Sequence, residues 1–298
     1  MPSGSPFTAM CQSLAALARP VVADLHLHTT ASDGDYTPSQ VVAFARRAKL
    51  SAIAITDHDT IAGVAAAREA ALGTALTVVA GVECSAELTG REFHILGYFV
   101  RPDDPEFHAA LVDVCHRRRE RFEAFVSHLK EQGIHFTPGV VESLISRTPS
   151  LGRRHLAGLL VQSENARSRY EAFKKFVIPI TSQIAPSHLT PAQLVIERIH
   201  AAGGFASLAH PSQDCDDATF TTLRDLGMDA IEVNFPAANA KHSKNLRAIA
   251  KRLGMIVTGG SDCHGGDSAS RTVGCRGLNH TEWQGLHQDI STAPLASV

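Results

Sequence analysis

The stretch DLHLHTTASDG, residues 24–34, carries the first decisive signal for the fold. It opens with a predicted strand on which His26 and His28 lie two positions apart, so both imidazoles face the same side. The neighbouring leucines face the other side, and Asp33 follows in a predicted loop. A single His-x-His pair on a strand is more often incidental than a metal site, so the rest of the chain must decide what this pair does.

Short apolar runs alternate with helical patterns along most of the chain. The predicted strands are 21–28, 51–59, 75–84, 93–100, 204–211, 228–235 and 254–264. Segments such as 38–50 and 239–253 have the periodicity of amphipathic helices. Strands separated by helices of about 10 to 15 residues predict a parallel sheet built from β–α units. Between Pro105 and Pro186 the sequence is instead helical and more charged.

Histidines and carboxylates recur near the ends of these predicted strands, and the chain has 16 histidines. His94 lies near the start of its strand, and the others end or follow theirs. The candidate ligands are His26, His28, Asp33, His58, Glu83, His94, His210, Asp262 and His264. Because the carboxyl ends of parallel strands converge on one face, we expect five strands to bring a potential ligand to one rim.

The chemistry of this set favours a metal centre with several ions. Six imidazoles and three carboxylates exceed the four ligands of a structural zinc. Nitrogen and oxygen ligands without organised thiolates suit Mn, Fe or Zn. Such ions attract phosphate and convert bound water to hydroxide near neutral pH, so the set predicts metal-assisted phosphoester hydrolysis. The competing interpretation is that the nine residues are unrelated capping and loop residues. It requires each of them to lie near a strand end by coincidence.

Composition excludes several classes of protein. The 298 residues are 44% hydrophobic with a formal net charge of −2, which argues against a disordered chain and against a surface that binds polyanions throughout. No apolar run approaches the roughly 18 residues of a membrane span. Six scattered cysteines without a CxxC pair favour a reducing, cytoplasmic location. Residues 1–20 lack a basic residue ahead of their short apolar segment, so we expect an extension rather than a signal peptide.

Six motifs together resemble those of the PHP (polymerase and histidinol phosphatase) superfamily in their order along the chain. They are DLHLHTTASDG (24–34), ITDHDT (55–60), GVE (81–83), FHILGY (93–98), AHP (209–211) and GSDCH (260–264). The resemblance implies a distorted (β/α)7 TIM-like barrel with two or three metal ions at its rim. It also implies that the nine candidate residues are the metal ligands, with His210, Asp262 and His264 in the catalytic centre.

The chain more closely resembles the stand-alone PHP phosphoesterases that act on 3',5'-nucleoside bisphosphates, some of which trim short oligoribonucleotides from the 5' end. Their helical insertion after the FHILGY strand corresponds here to 105–188. Within it, SLGRRHLAGLLV (150–161) resembles the family's Ser/Thr-x-x-Arg-x-His segment. The resemblance implies that Ser150, Arg153 and His155 face the metal centre and hold a substrate phosphate, as a guanidinium does well. A solvated basic turn is the alternative.

Two further segments bear on the substrate. The basic run HRRRERF, 116–122, lies within a predicted helix, and we interpret it as a solvated face rather than an RNA track. The stretch 177–191 replaces a loop that contains Gly and Lys or Arg in relatives, and here it has no Lys or Arg. We therefore expect the substrate preference or affinity of this protein to differ from that of its relatives. The metal ligands lie outside this stretch and should be unaffected.

These observations predict an N-terminal extension (1–20), a PHP barrel (21–104 and 189–298) and a helical insertion that caps the rim (105–188). The predicted activity is removal of the 3'-phosphate from nucleoside 3',5'-bisphosphates, such as adenosine 3',5'-bisphosphate, by a metal-bound hydroxide. Two or three divalent ions are expected, Mn first, with Fe or Zn as alternatives. The expected partner is a nucleotide or short RNA, with no membrane, and the chain is expected to be a monomer.

Alternative activities remain open at this point. They are 5'–3' exoribonuclease action on short oligonucleotides, hydrolysis of another small phosphomonoester such as histidinol phosphate, C–N bond hydrolysis by a barrel amidohydrolase, and a non-enzymatic role for the metal. A complete set of nine ligands argues against the last of these.

Overall fold

The computed structural model describes residues 21–266 and 270–292, so the predicted extension at 1–20 lies outside the described residues. The strands are β1 (Ala23–Leu27), β2 (Ala52–Ile55), β3 (Thr77–Leu88), β4 (Arg91–Tyr98), β5 (Thr190–Pro191), β6 (Phe205–Leu208), β7 (Ala230–Asn234) and β8 (Ile256–Gly259). The helices are α1 (Pro38–Arg47), α2 (Ala62–Ala70), α3 (Pro105–Glu131), α4 (Val140–Arg147), α5 (Arg153–Gln162), α6 (Arg169–Ala172), α7 (Ile178–Thr181), α8 (Ala192–Ala201), α9 (Asp217–Asp225), α10 (Ala240–Leu253) and α11 (His280–Thr292). A π-helical turn, Phe173–Val177, joins α6 to α7.

The strands form one sheet that is nearly closed into a barrel. Seven follow the order β1–β2–β3–β4–β6–β7–β8, and the short β5 pairs with β3 beside this path. The first and last strands of this order, β1 and β8, approach each other, because a parallel bridge joins Leu27, the last residue of β1, to Cys263 beyond β8. There the His28 N–H donates to the Cys263 carbonyl at 3.1 Å. The predicted fold class, an α/β barrel of the TIM-like kind, is confirmed.

One strand departs from the predicted parallel sheet. β4 runs antiparallel to both β3 and β6. Only Thr89 and Gly90 separate β3 from β4, and both have left-handed backbone, with φ of 52° and 79°. A two-residue turn of this kind returns the chain antiparallel, whereas a parallel neighbour needs a long crossover. The reversal also explains how His94, near the start of β4, reaches the same rim as residues at the ends of parallel strands.

Apolar side chains from the sheet and its surrounding helices form the main core. One cluster packs residues such as Ile53, Val82 and Ile231 against the inner faces of α1, α2, α8, α9 and α10. A smaller cluster joins Leu25 and Tyr98 to Trp283 of α11. Burial at about 25 cal/mol per Å² of apolar surface makes these clusters the main stabilising contribution to the barrel.

The helices α3 to α7 occupy the predicted insertion and have an apolar cluster of their own. Asp104 caps α3 by accepting from the Phe107 N–H at 2.9 Å, and Pro105 occupies the first helical position. Phe122, Phe125 and Leu129 of α3 then pack against α4, α5 and the π-helical turn. The domain boundaries themselves stay a prediction. Within the described residues, no helix combines the length and apolar character that a membrane span needs.

Candidate metal centre

The structure brings the nine predicted ligands to one end of the barrel. His26 lies on β1 and His28 directly follows it, with the two ring centroids 5.2 Å apart. His58, His210 and the pair Asp262 and His264 follow β2, β6 and β8. Glu83 lies within β3 rather than at its end, because β3 continues to Leu88 in its pairing with β4.

Strain in the backbone accompanies two of these positions. His210 and Asp262 have positive φ values, 27° and 47°, where residues with a Cβ are uncommon. Such conformations persist where surrounding contacts impose them, and they concentrate at functional sites. The sharp turns after β6 and β8 direct both side chains toward other predicted ligands. After β6, His210 Nε2 lies 2.9 Å from Glu83 Oε1. After β8, Asp262 Oδ1 lies 3.6 Å from His26 Nε2.

Glu83 is the centre of the cluster. Its Oε2 lies 3.2 Å from His28 Nε2 and from His58 Nδ1, and 3.3 Å from His26 Nε2. Its Oε1 lies 2.9 Å from His94 Nδ1 and from His210 Nε2. Glu83 is within reach of five imidazoles, and together these side chains would hold divalent cations.

The nine residues divide into four overlapping groups whose ligand atoms lie within 4.8 Å of one another. The groups are His28, Asp33, His58 and His264; His26, His28 and Asp262; His26, Glu83 and His210; and His58, Glu83 and His94. Because neighbouring groups share side chains, the arrangement suits several adjacent cations better than one isolated ion.

Unpartnered polar atoms show that the site fits divalent cations. Six buried ligand atoms make no hydrogen bond with any described residue: His26 Nε2, His28 Nδ1, His28 Nε2, Asp33 Oδ1, His58 Nδ1 and Glu83 Oε2. A buried polar group without a partner costs free energy, and most such groups in proteins are paired. Coordination to cations would satisfy five of the six, because a neutral imidazole such as His28 coordinates through one nitrogen only, and the nitrogen and oxygen donors suit Mn, Fe or Zn.

The carboxylates in the cluster are held in their charged form. Burial opposes ionisation of Glu83, yet the imidazoles of His58, His26 and His94 hold its pKa well below the ordinary value. Burial likewise opposes charge on Asp33, where His264 and His58 lower the pKa. Burial also lowers the pKa of His58, whereas, against the opposing effect of burial, Glu83 and Glu92 raise the pKa of His94 to about 10, so a cation bound there would displace a proton. Ionised carboxylates and a neutral imidazole are the forms that bind metal.

Glu232 is a functional residue that the sequence analysis missed. It is fully buried on β7, accepting from His26 Nδ1 at 3.1 Å and from the His210 N–H at 2.7 Å. Since a carboxylate accepts, Nδ1 of His26 carries a proton, and Nε2, which lies 3.3 Å from Glu83 Oε2, is the nitrogen that would coordinate a cation. The sequence feature that could have indicated this role is a single carboxylate within the otherwise apolar strand sequence AIEVN.

Buried aspartates hold the two loops that carry ligands. Asp57 accepts from the Thr29 N–H and the Ser32 hydroxyl, both at 2.7 Å, which anchors the loop that contains Asp33. Asp24 accepts from the N–H groups of Ser261 and Gly274 at 2.8 and 2.7 Å. The ligand-bearing turns are therefore fixed by backbone contacts from within the barrel.

A cavity of about 530 Å³ lies between the rim and the helices α3 to α7. Four predicted ligands line it: Asp33, His58, His94 and His264. Its other walls combine arginines with aromatic rings: Arg118, Arg121, Arg153, Arg154, Arg271, Phe122, Phe125, Tyr170 and Phe173. The volume is in the range of small-molecule sites, and guanidinium groups above metal ligands suit a phosphorylated substrate.

The three predicted substrate-binding residues separate in the structure. Arg153 lines the cavity, where its guanidinium lies 3.4 Å from Glu92 Oε1. Ser150 is buried and does not line the cavity, and its hydroxyl has no hydrogen-bond partner among the described residues. His155 accepts from the Gly152 N–H at 3.1 Å and lines a neighbouring cleft beside Ser32.

The interpretation of 116–122 as a solvated face is wrong for two of its arginines. Arg118 and Arg121 are only 8% and 7% exposed, whereas Arg119 is exposed. Residues three apart lie on one face of a helix, and here that face is turned to the cavity with Phe122 and Phe125. The segment 177–191 has no Lys or Arg, yet it also contributes a side chain to the cavity wall, the buried His188.

A barrel rim with clustered imidazoles and carboxylates beneath an arginine-lined cavity defines a metal-dependent phosphoester hydrolase. The family model of the PHP domain matches residues 24–166. The 5'-3' exoribonuclease Rnm of Escherichia coli is 32% identical over 253 residues, which cover 82% of this chain and 85% of that protein. The chain belongs to the PHP family.

Two further relatives agree with this assignment. A 3',5'-nucleoside bisphosphate phosphatase of Chromobacterium violaceum is 28% identical over 266 residues, covering 87% of this chain and 91% of that protein. A solved structure from Bifidobacterium adolescentis, assigned as a metal-dependent phosphoesterase, superposes with a TM-score of 0.80 at 28% identity and covers 88% of this chain and 94% of that one. The predicted enzyme class, a metal-dependent phosphoesterase, is confirmed.

Proposed function

We propose that this phosphoesterase removes the 3'-phosphate of nucleoside 3',5'-bisphosphates. The observation that carries the proposal is one cavity that joins the predicted metal ligands to a second wall of guanidinium groups. A substrate with two phosphates needs positive charge at two places, and the guanidinium groups that line the cavity supply charge in addition to that of cations at the metal centre. The name of the Chromobacterium violaceum relative supports the same substrate.

Aromatic rings in the cavity would bind the base. Phe122, Phe125 and Phe173 line it together with Tyr170. Stacking of a base on such rings tolerates every base, because each presents a π-face. The cavity therefore favours nucleotides as a class over a small apolar or amino-acid phosphate, and it predicts little discrimination among bases.

We further propose that two or three divalent cations occupy the metal centre, with Mn²⁺ preferred. Such ions would supply a nucleophile from water at neutral pH and neutralise phosphoryl oxygens. The protein's part is to hold Glu83 and Asp33 ionised, to orient His26 through Glu232, and to exclude bulk water beneath α3. Metal content after reconstitution with Mn, Fe or Zn tests the preference.

A second candidate is 5'–3' trimming of short oligoribonucleotides. Tyr170 favours it, because this ring is 77% exposed while still lining the cavity. It would extend the stacking surface from the cavity toward solvent, where a second base of a short RNA would lie. The Escherichia coli relative is named for such an activity.

A substrate panel separates these activities. Mn-loaded protein is given adenosine 3',5'-bisphosphate, a 5'-phosphorylated trinucleotide and histidinol phosphate, and phosphate or nucleotide release is measured. We expect kcat/KM above about 10⁴ M⁻¹s⁻¹ for the bisphosphate, well ahead of the others. Asp262→Ala, folded by circular dichroism, serves as the inactive control. Faster release of mononucleotides from the trinucleotide would replace the phosphatase assignment with the exoribonuclease one.

Three expectations from the sequence stay predictions alongside this proposal. They are a nucleotide or short RNA as partner, a monomeric chain and a cytoplasmic location. The five cysteines in the described part of the chain are all free, as a reducing compartment would keep them.

A further inference from the structure

Arg121 is a largely buried arginine for which the described residues provide no carboxylate within ion-pair distance, although Glu92 acts on it electrostatically from further away. Only 7% of it is exposed, and no described residue forms an ion pair or hydrogen bond with its guanidinium. Its Nε is buried without a partner. The Phe125 ring lies 4.9 Å from the guanidinium carbon, but a ring face does not accept the in-plane N–H groups.

Arg121 differs in this respect from the arginines around it. The other cavity arginines each have a carboxylate partner: Arg118 with Asp59, Arg153 with Glu92, Arg154 with Asp35 and Arg271 with Asp262. Burial of a charge without a bonded counter-ion costs free energy, here moderated by the more distant Glu92, and proteins avoid it unless the charge is used. Because the guanidinium lines the cavity, an anion that enters the cavity can pair with it.

His188 is a second unpartnered group on the same wall. It is 4% exposed, it lines the cavity, and its Nδ1 makes no hydrogen bond with a described residue. Burial, together with the neighbouring Arg118 and Arg121 guanidiniums, lowers its pKa to about 3. The imidazole is therefore neutral at physiological pH and offers one N–H to an anion without adding a charge of its own.

The position of this pair fits the second phosphate of a bisphosphate. Arg118 is bound to Asp59, next to the predicted ligand His58, with Nε 2.5 Å from Oδ2. Arg121 lies three residues further along α3, which is about 4.5 Å along the helix axis. Arg121 is thus offset along α3 from the arginine that contacts the turn of His58, and it lines the same cavity as His188.

We propose that Arg121 and His188 form an anion subsite that binds the non-reacting phosphate of the substrate. This inference rests on the proposed function, since it assigns the 5'-phosphate of the nucleoside bisphosphate to these two side chains. The guanidinium would bind that phosphate through two N–H donors, and His188 would donate a further hydrogen bond. The subsite would make the enzyme select bisphosphates over 3'-monophosphates.

The test compares two substrates in Arg121→Met, which removes the charge and keeps an apolar side chain. Loss of a bidentate, charge-assisted contact predicts a fall of about 10- to 100-fold in kcat/KM for adenosine 3',5'-bisphosphate. For adenosine 3'-monophosphate, which lacks the 5'-phosphate, we expect a change of less than about threefold. His188→Gln should give a smaller loss with the same selectivity. Arg119→Met, exposed on the same helix, is the matched control. An equal loss on both substrates, or no loss on the bisphosphate, overturns the subsite.

Stability provides an independent readout. Removing an unpaired buried charge should leave the melting temperature of the ligand-free protein unchanged or raise it. A fall of several degrees in Arg121→Met but not in Arg119→Met would instead assign Arg121 to the fold and overturn the proposal.

Binding of AMP separates failure of the subsite from failure of the proposed function. If the wild-type Mn-loaded protein hydrolyses neither nucleotide, the proposed function fails, and titration with AMP still tests the subsite. A Kd at least tenfold weaker in Arg121→Met supports the subsite, and an unchanged Kd overturns it.

Discussion

Arg118→Met tests the buried ion pair that fastens α3 to the barrel. The guanidinium of Arg118 donates to Asp59 Oδ2 at 2.5 Å, to the Ser85 hydroxyl at 2.7 Å and to the Leu151 carbonyl at 3.0 Å. These three contacts join the helix to β3, to the turn after β2 and to the segment that precedes α5. The substitution keeps most of the apolar stem and leaves the Asp59 carboxylate buried without its cation.

The expected cost follows from that stranded carboxylate. Removing one partner of a buried ion pair costs about 3–5 kcal/mol, and Asp59 retains only its bonds to the Ser85 N–H and hydroxyl. We expect the free energy of unfolding in urea to fall by this amount, followed by circular dichroism for the helices and by the fluorescence of Trp283 for the barrel. Trp283 is the single tryptophan of the chain and packs in the barrel cluster.

Controls make the result specific to the buried pair. Arg119→Met removes an exposed arginine that pairs with Glu123, so it should cost no more than about 0.5 kcal/mol. The double variant Arg118→Met with Asp59→Asn should cost less than the sum of its single variants, because the stranded charge is gone. An effect of Arg118→Met no larger than that of Arg119→Met would refute the reasoning.

Two further predictions concern the metal centre and the barrel. Glu232→Gln should weaken Mn²⁺ binding by about 10- to 100-fold in competition with a chelator, because His26 loses the carboxylate that orients it; unchanged affinity would contradict this role. The hydrogen bond from His200 to Asp229 raises the pKa of the imidazole against the opposing effect of burial, so the pair stabilises the fold fully below about pH 6.5, and this contribution is lost as pH rises through the raised value. His200→Gln should therefore lower the melting temperature at pH 6, by no more than about 2 °C, and have less effect at pH 9.

The barrel and the nine candidate ligands could be predicted because their signals are local. Strand-ending motifs such as ITDHDT and GSDCH place polar residues directly after apolar runs. The antiparallel β4 was not predicted, because the predicted strands 75–84 and 93–100 leave eight residues between them, and only the structure extends both so that Thr89 and Gly90 alone separate β3 from β4. The prediction of an all-parallel sheet followed the alternation of strands and helices and passed over this turn.

The groups around the metal centre could not be predicted in the same way. Glu232 is recognisable only once β7 lies beside β1 and β6 supplies the His210 backbone. His188 belongs to a segment with no charge pattern, and its burial depends on packing beneath α3. Arg121 sits in a basic run that is typical of a solvated helix, and only the packing of α3 shows which of its arginines face inward.

Arg118 and Arg121 show how one helix face can serve two purposes. Both are buried arginines three residues apart, yet Arg118 forms an ion pair with Asp59, whereas Arg121 forms none with the described residues. The same change to methionine should therefore have opposite consequences: loss of stability at Arg118, and loss of selectivity for bisphosphates without loss of stability at Arg121. A guanidinium already neutralised by Asp59 has less to gain from a substrate phosphate than one that lacks a counter-ion. Docking of the insertion and binding of the second phosphate are thus assigned to different residues of α3, and the two variants measure them separately.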